Sequence, residues 1–202
     1  MKKNVFVLSV MGMMAVLFTA CSSFKSQKIS NSQDLSAVME IVASHFPDDN
    51  LLHIAILADD HLSDKFETLN VYYYENDKVY VATYYEFQAG WLDPEKSPFH
   101  GIKKASNKVN RLKKASDFDF GNVQELLTKA ILFIEENSDE FEDFKLYSIE
   151  QGSQPNGEME TKFTVNATKK DEGSTRQGRN IVTTYYEFNF IVDERGEITY
   201  QE

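Results

Sequence analysis

The sequence predicts an α+β fold in which two helices pack on an antiparallel sheet. Two segments carry apolar residues at helical spacing, and each precedes several short runs in which apolar and polar residues alternate. The pentapeptide Thr-Tyr-Tyr-Glu-Phe also occurs twice, at 83–87 and at 184–188. A helix followed by strands in each half, with a shared pentapeptide, indicates a duplicated helix-plus-strands unit.

The first predicted α+β unit spans residues 32–95. Its helix extends from about Ser32 to Phe46, with Ser30 or Ser32 as the N-cap, and Pro47 ends it. The apolar side chains that share one face of this helix are Leu35, Val38, Met39, Val42 and Phe46. The strand-like runs that follow are 51–58, 68–76 and 78–87.

The second predicted unit spans residues 119–202. Its helix extends over 122–136, with Asn122 and Glu125 as a predicted capping box. The apolar face of this helix comprises Val123, Leu126, Leu127, Ala130, Ile131 and Ile134. Four strand-like runs follow, at 144–150, 159–168, 180–193 and 197–200, and the polar segment 169–179 is predicted to be a loop.

Duplication requires the two halves to align. The helix faces align at an offset of 88 residues and the pentapeptides at 101, and longer loops in the second half can absorb the difference. This alignment puts the pentapeptide late in the third strand of each half. The alternative is a single fold that uses a favourable strand sequence twice. A helix followed by a curled antiparallel sheet resembles cystatin-like and tandem-repeat inhibitor architectures, but no shared motif carries functional residues over.

The repeated pentapeptide also predicts a binding face. Side chains alternate across a strand, so Thr83, Tyr85 and Phe87 share one face, while Tyr84 and Glu86 share the other. If the first set is buried, the second set faces outwards. The sequence therefore predicts a face for a partner that comprises Tyr84, Glu86, Tyr185 and Glu187.

The start of the chain has the layout of a secretory signal. Lys2 and Lys3 precede an apolar run, Val5 to Phe18, of 14 residues broken only by Ser9 and Gly12. That run is short for a bilayer-spanning helix. Small residues follow, and then comes the single cysteine of the chain, Cys21. Residues 1–20 are therefore predicted to be a signal peptide.

The stretch Leu17-Phe18-Thr19-Ala20-Cys21 resembles the lipobox of bacterial lipoproteins of the Bacteroidota type. It departs from that pattern at Phe18, where leucine is usual. The resemblance implies that the signal is cleaved before Cys21 and that this cysteine carries acyl chains, palmitate among them. Because one acyl chain anchors only marginally, several chains on one cysteine make a stable membrane anchor.

The residues after the cysteine indicate a tether and a location. Residues 21–31 are polar and serine-rich, which is typical of a flexible link. In the lipoprotein class, a serine after the cysteine is compatible with the outer membrane, and no acidic surface-export cluster follows. We therefore expect a cell-envelope protein, anchored in the outer membrane, whose folded part faces the periplasm.

The exported part of the chain is acidic. The whole chain has a net charge of −11, and loss of residues 1–20 removes two lysines and no acid, which leaves −13. Such a charge argues against a nucleic-acid partner. The exception is the predicted linker 96–118, whose basic side chains could contact an anionic lipid or acidic partner, or pair with acids of the same protein: Lys103, Lys104, Lys108, Arg111, Lys113 and Lys114.

Motifs for catalysis, cofactors and metals are not evident in the sequence. The chain has no Gly-x-Ser-x-Gly segment or glycine-rich phosphate cradle, and its four histidines lack ligand spacing. His61, after Asp59 and Asp60, supplies only one imidazole. We therefore expect no cofactor and a non-enzymatic module that binds an envelope protein or a small molecule. The alternative is a periplasmic hydrolase with an unfamiliar carboxylate/histidine site.

Overall fold

The computed structural model of the chain describes residues 26–47, 50–97, 112–177, 180–193 and 195–201. The predicted signal peptide and Cys21 lie outside these ranges. Four of the basic linker residues also lie outside them: Lys103, Lys104, Lys108 and Arg111.

Two amphipathic helices form where the apolar spacing predicts them. Helix α1 spans Ser32–His45, and helix α2 spans Val123–Asn137. The buried residues of α1 are Leu35, Val38 and Val42, and those of α2 are Val123, Leu126, Ala130 and Ile134. Both predicted apolar faces are therefore confirmed.

The helix caps differ from the predicted ones. Asn31 is the N-cap of α1, and its side-chain oxygen accepts hydrogen bonds from the backbone N–H groups of Gln33 and Asp34 at 2.9 and 3.1 Å. Asn122 makes no side-chain cap hydrogen bond at the start of α2. The choice of Ser30 or Ser32 was wrong, since the extended backbone that a cap needs occurs one residue before the helix, at Asn31.

Replacing Asn31 with alanine is expected to lower the free energy of unfolding by about 1 kcal/mol, because two backbone N–H groups lose their acceptor. Urea denaturation monitored by circular dichroism measures the change. Asn122→Ala is the matched control at the other helix start, where no such bond exists. Equal effects of the two substitutions would contradict the assignment.

Eleven strands are present in the described residues. They are β1 Leu51–Ala58, β2 Phe66–Glu75, β3 Lys78–Tyr85, β4 Gly90–Trp91, β5 Glu95–Lys96, β6 Phe141–Ser153, β7 Met159–Lys169, β8 Thr175–Gln177, β9 Asn180–Val182, β10 Tyr186–Val192 and β11 Ile198–Gln201. The predicted single strand over 180–193 is thus divided, since β9 pairs with β8 in a separate two-stranded sheet.

The other nine strands form one antiparallel sheet within the described residues. Its order is β11-β10-β7-β6-β1-β2-β3-β4, with β5 also paired to β3. Strand β1 of the first half pairs with β6 of the second, so that both predicted units contribute to a single sheet. The α+β class with an antiparallel sheet is confirmed.

A row of buried residues crosses the middle of this sheet. Each member pairs with the next on the neighbouring strand, in the order Tyr84, Leu69, Ile56, Ile149, Phe163 and Phe190. All six are at most 9% exposed and belong to the core that both helices cover. The row places Tyr84 at one end and Phe190 at the other, in corresponding positions of the two halves.

The two pentapeptides do not occupy corresponding positions. In the first copy, β3 ends at Tyr85, and Glu86–Gln88 form a 3-10 turn. In the second copy, β10 begins at Tyr186, so the pentapeptide opens the strand. The expectation that both copies lie late in a third strand was therefore wrong. The residue that corresponds to Tyr84 is Phe190, which follows the second copy by two positions.

Candidate functional site

One face of the nine-stranded sheet carries no helix in the described part of the chain. The side chains that alternate with the buried row point away from the helices and are mainly polar or aromatic. Among them are His53, Asn70, Tyr72, Thr83, Glu150, Lys162, Thr164, Asn166, Glu187 and Asn189. We call this surface the helix-free face. It contains a cluster of stacked rings and polar side chains around His61.

That cluster is built around His61, in the loop that connects β1 to β2. The imidazole stacks on the ring of Tyr147, with centroids 4.3 Å apart and planes 23° apart, and on the ring of Tyr185, at 4.1 Å and 13°. Two tyrosine rings cannot fit side by side over so small a ring at these distances. They therefore lie on opposite faces of the imidazole, and we call this arrangement the aromatic slot.

Polar groups line the edge of the aromatic slot. Nδ1 of His61 lies 3.7 Å from a carboxylate oxygen of Glu187 and 3.3 Å from the amide nitrogen of Asn166. The same Asn166 nitrogen donates a 2.9 Å hydrogen bond to the backbone carbonyl of His61. An amide and a carboxylate thus approach the imidazole from the sheet.

Asn166 is the most unusual member of this cluster. It is 0% exposed, and its side-chain oxygen has no hydrogen-bond partner in the described part of the chain. A buried acceptor left without a donor costs about 1–3 kcal/mol. The carboxamide therefore binds His61 through its nitrogen, while its buried oxygen is an unused acceptor among the described residues.

The electrostatic surroundings of the aromatic slot are acidic. Partial burial of Tyr185 raises the pKa of its hydroxyl, and the carboxylates of Glu187 and Asp60 act in the same direction. Negative groups therefore stand near the slot, and a donor or cation in it would be favoured over an anion.

A second histidine, His53, lies on the helix-free face but is not stacked between rings. Its Nε2 lies 3.2 Å from the carboxylate of Glu150, and its ring meets Tyr72 edge-on at 5.3 Å. In the pairing of β1 with β6, the residue opposite His53 is Gly152. A Cβ at Gly152 would lie 2.4 Å from Nδ1 of His53. The imidazole therefore occupies the space that any side chain at Gly152 would need.

The hydrogen bond from His53 lowers the pKa of the Glu150 carboxyl, and the charges of His53 and Lys162 add to this effect. Because the pKa of Glu150 is lower in the folded protein than in the unfolded chain, its carboxylate stabilises the fold at pH values above the ordinary glutamate pKa of about 4.3. As the pH falls below about 4.3 and through the lowered pKa of the folded state, this stabilisation is lost. Since the carboxylate is 37% exposed, the contribution is at most about 1 kcal/mol.

Glu150→Gln is expected to lower the free energy of unfolding at pH 7 by up to about 1 kcal/mol and to reduce its fall at acid pH. Urea titrations at neutral pH and at a pH near 3 measure both effects. Glu187→Gln, whose carboxylate stands 3.7 Å from its histidine, is the matched control. Unchanged acid sensitivity in the Glu150 variant would contradict the assignment.

The four residues of the predicted partner face lie in different surroundings in the structure. Tyr84 is only 9% exposed and packs in the core, so its assignment to an outward face was wrong. Phe87, predicted to share the buried face, is 72% exposed because the strand ends before it. Glu86 lies in the 3-10 turn after β3. Tyr185 and Glu187, in contrast, meet at the aromatic slot.

Of the six basic residues predicted to contact an anionic partner, the structure describes Lys113 and Lys114, and Lys113 pairs with the first residue of β1. The backbone of Lys113 exchanges two hydrogen bonds with Leu51, at 2.8 and 3.0 Å. Lys114 donates its backbone N–H to the carboxylate of Asp117. Neither contact tests whether these side chains bind an anionic partner.

Sequence reasoning missed His61, Tyr147 and Asn166 as a group. His61 was considered only as a metal ligand, and the other two have the appearance of ordinary strand residues. Within the described ranges, no three His, Cys, Asp or Glu side chains are grouped to hold a metal ion. Of the helices in those ranges, none has both the length and the apolar character to span a membrane.

Comparisons with known proteins give little beyond this geometry. No family model matches the chain, and no curated protein matches it. A solved structure of a candidate lipoprotein from Clostridium difficile 630 is similar at 11% sequence identity, with a TM-score of 0.42, and the match covers 83% of this chain and 92% of that one. Similarity of this extent leaves the function to be argued from the chain's own residues.

Proposed function

We propose that the chain is a lipid-anchored envelope lipoprotein whose folded part is a non-enzymatic binding module. The anchor is the acylated Cys21, and the folded part faces the periplasm from the outer membrane. Support for the anchor comes from the apolar run, the small residues and the lipobox-like stretch that precede Cys21. The predicted tether 21–31 is too long at its C-terminal end, since Ile29 is 0% exposed in the core and its backbone N–H donates to the carbonyl of Asp64. The link proposed between the anchor and the folded part therefore ends before Ile29.

The observation that carries the binding role is the helix-free face. Two helices cover one side of the nine-stranded sheet, and the other side presents tyrosines, histidines and amides. Tyrosine and histidine pair a flat apolar body with a polar tip, and such side chains bind partners with little loss of conformational entropy. The partner is an envelope protein or a small molecule.

Cys21→Ser is expected to abolish incorporation of radiolabelled palmitate and to move the protein from the membrane fraction to the soluble fraction. Labelled cells that express the chain, separated by ultracentrifugation, provide the measurement. Ser22→Ala, next to the cysteine, is the matched control and should keep the label. Equal labelling of the Cys21 variant would overturn the anchor.

The binding role is tested by cross-linking in envelope preparations. Thr164→Arg places a bulky charge on the helix-free face, whereas Thr128→Arg places the same charge on the exposed side of α2. A cross-linked partner should be lost with the first variant and kept with the second. Equal yields from both variants and from a lipid-anchor control without the folded part would refute the proposal.

The alternative function is a hydrolase. The observation that favours it is the presence of two histidine–carboxylate pairs on one face, His53 with Glu150 and His61 with Glu187. A hydrolytic activity that is lost with His61→Gln or His53→Gln would establish this alternative.

The basic linker is proposed to contact anionic lipid headgroups beside the anchor. Lys113 and Lys114 are the members of this set that the structure describes. Unlipidated protein should bind vesicles with phosphatidylglycerol, and 0.5 M salt, roughly five times the concentration that gives a 10 Å screening length, should release it. Binding that resists salt would contradict this contact.

A further inference from the structure

We propose that the aromatic slot is a binding site for a planar heterocycle that bears N–H donors, and that His61 occupies this site when no ligand is bound. The inference rests on the proposed binding function and names its ligand class. It follows from three features of the cluster: the parallel rings, the unused acceptors and the way in which His61 is attached.

The parallel rings select a flat ligand. Tyr147 and Tyr185 hold the imidazole within 23° and 13° of their own planes, at centroid distances of 4.3 and 4.1 Å. This spacing admits one aromatic layer between two tyrosine faces and is too narrow for a puckered sugar ring. The negative faces of two tyrosines also favour a ring that carries positive charge.

The acceptors select a ligand with N–H groups. Among the described residues the side-chain oxygen of Asn166 is buried without a partner, and the Glu187 carboxylate stands 3.7 Å from the imidazole nitrogen, beyond hydrogen-bond distance. His61 therefore occupies the slot but does not satisfy its acceptors. A heterocycle with two N–H donors, of which imidazolium is the smallest, could bond to both groups.

His61 is attached in a way that permits its removal. The turn that carries it is closed by its own bonds: Asp59 donates its backbone N–H to the carbonyl of Lys65, and Ser63 donates to that of Asp60. The histidine reaches the sheet through ring stacking and Asn166, and its side chain is 37% exposed. A ligand that takes its place needs to displace one side chain and not a packed element.

The test uses His61→Ala, which empties the slot while it leaves both tyrosines, Asn166 and Glu187 in place. Free imidazole, titrated at a pH near 6 and followed by NMR, should bind this variant saturably, with a dissociation constant on the order of 1 mM. The wild-type protein should bind imidazole at least tenfold more weakly, since its own histidine competes.

Two variants serve as controls. His53→Ala removes a histidine from the same face that contacts one tyrosine edge and a glutamate, and it should gain no imidazole site. Adding Tyr185→Leu to His61→Ala removes one wall of the slot and should weaken imidazole binding at least tenfold. Circular dichroism confirms that each variant is folded.

The outcomes separate this inference from the proposed function. Saturable binding by folded His61→Ala that depends on Tyr185 supports the slot. Absence of binding, or binding unaffected by Tyr185→Leu, overturns it, whereas palmitate labelling and cross-linking on the helix-free face would stand. If His61→Ala does not fold, excess imidazole must shift the His61 ring resonances of the wild-type protein towards those of an unstacked histidine, and unchanged resonances overturn the proposal.

Discussion

Phe190→Ala is expected to lower the free energy of unfolding by about 3–5 kcal/mol, the largest effect among the substitutions considered for this chain. Phe190 is 1% exposed and ends the buried row that crosses the sheet. Its ring stacks on Phe163 with centroids 5.2 Å apart and meets Phe133 edge-on at 5.8 Å. Truncation therefore removes both the burial of a large ring and its aromatic contacts, and a cavity is left between β10 and α2.

Phe87→Ala is the matched control for Phe190→Ala. It removes the same atoms from a side chain that is 72% exposed, so a change within about 0.5 kcal/mol is expected. Urea denaturation curves for the two variants measure the difference. If the variants lost similar stability, Phe87 would be a core residue, as the alternation of the pentapeptide first suggested, and the assignment of the buried row would be wrong.

This pair of residues shows how far periodicity can predict the fold. Helical spacing identified both buried helix faces, since a stripe of apolar residues can be buried on only one side. In β3, however, both alternating sets contain aromatic residues, so the pattern alone cannot tell which set faces the core. The core set includes Tyr84, because its partner in the sheet is the buried Leu69. That pairing depends on the register between strands, which no single strand encodes.

The aromatic slot was beyond sequence reasoning for a similar reason. His61, Tyr147 and Tyr185 are far apart in the chain and come together only because β1 pairs with β6, β6 with β7, and β7 with β10. Two register shifts between β6 and β7, on either side of Leu146, fall where Tyr147 turns towards His61. The sequence did single out Tyr185 and Glu187, through the repeated pentapeptide, but it paired them with Tyr84 and Glu86 rather than with His61.

Gly152→Ala is expected to destabilise the protein by about 1–2 kcal/mol, because the new Cβ would lie 2.4 Å from Nδ1 of His53. The imidazole would have to rotate away, and its 3.2 Å contact with Glu150 would be lost. The clash lies where β1 pairs with β6, at the junction of the two halves of the sheet. Part of the cost is offset, since alanine in a strand is favoured over glycine by about 0.5–1 kcal/mol.

The effect of Gly152→Ala on the free energy of unfolding should change sign once His53 is removed. In a His53→Ala background the obstructing ring is absent, and Gly152→Ala should then stabilise the protein by about 0.5 kcal/mol through the smaller loss of backbone entropy on folding. A double-mutant cycle from four urea denaturation curves gives the coupling between the two positions, and residues in contact usually couple by about 0.5–3 kcal/mol. Additive effects would show that the imidazole does not fill the space above Gly152. A coupling of the expected sign would identify His53 as the residue that requires glycine at the junction of the two halves.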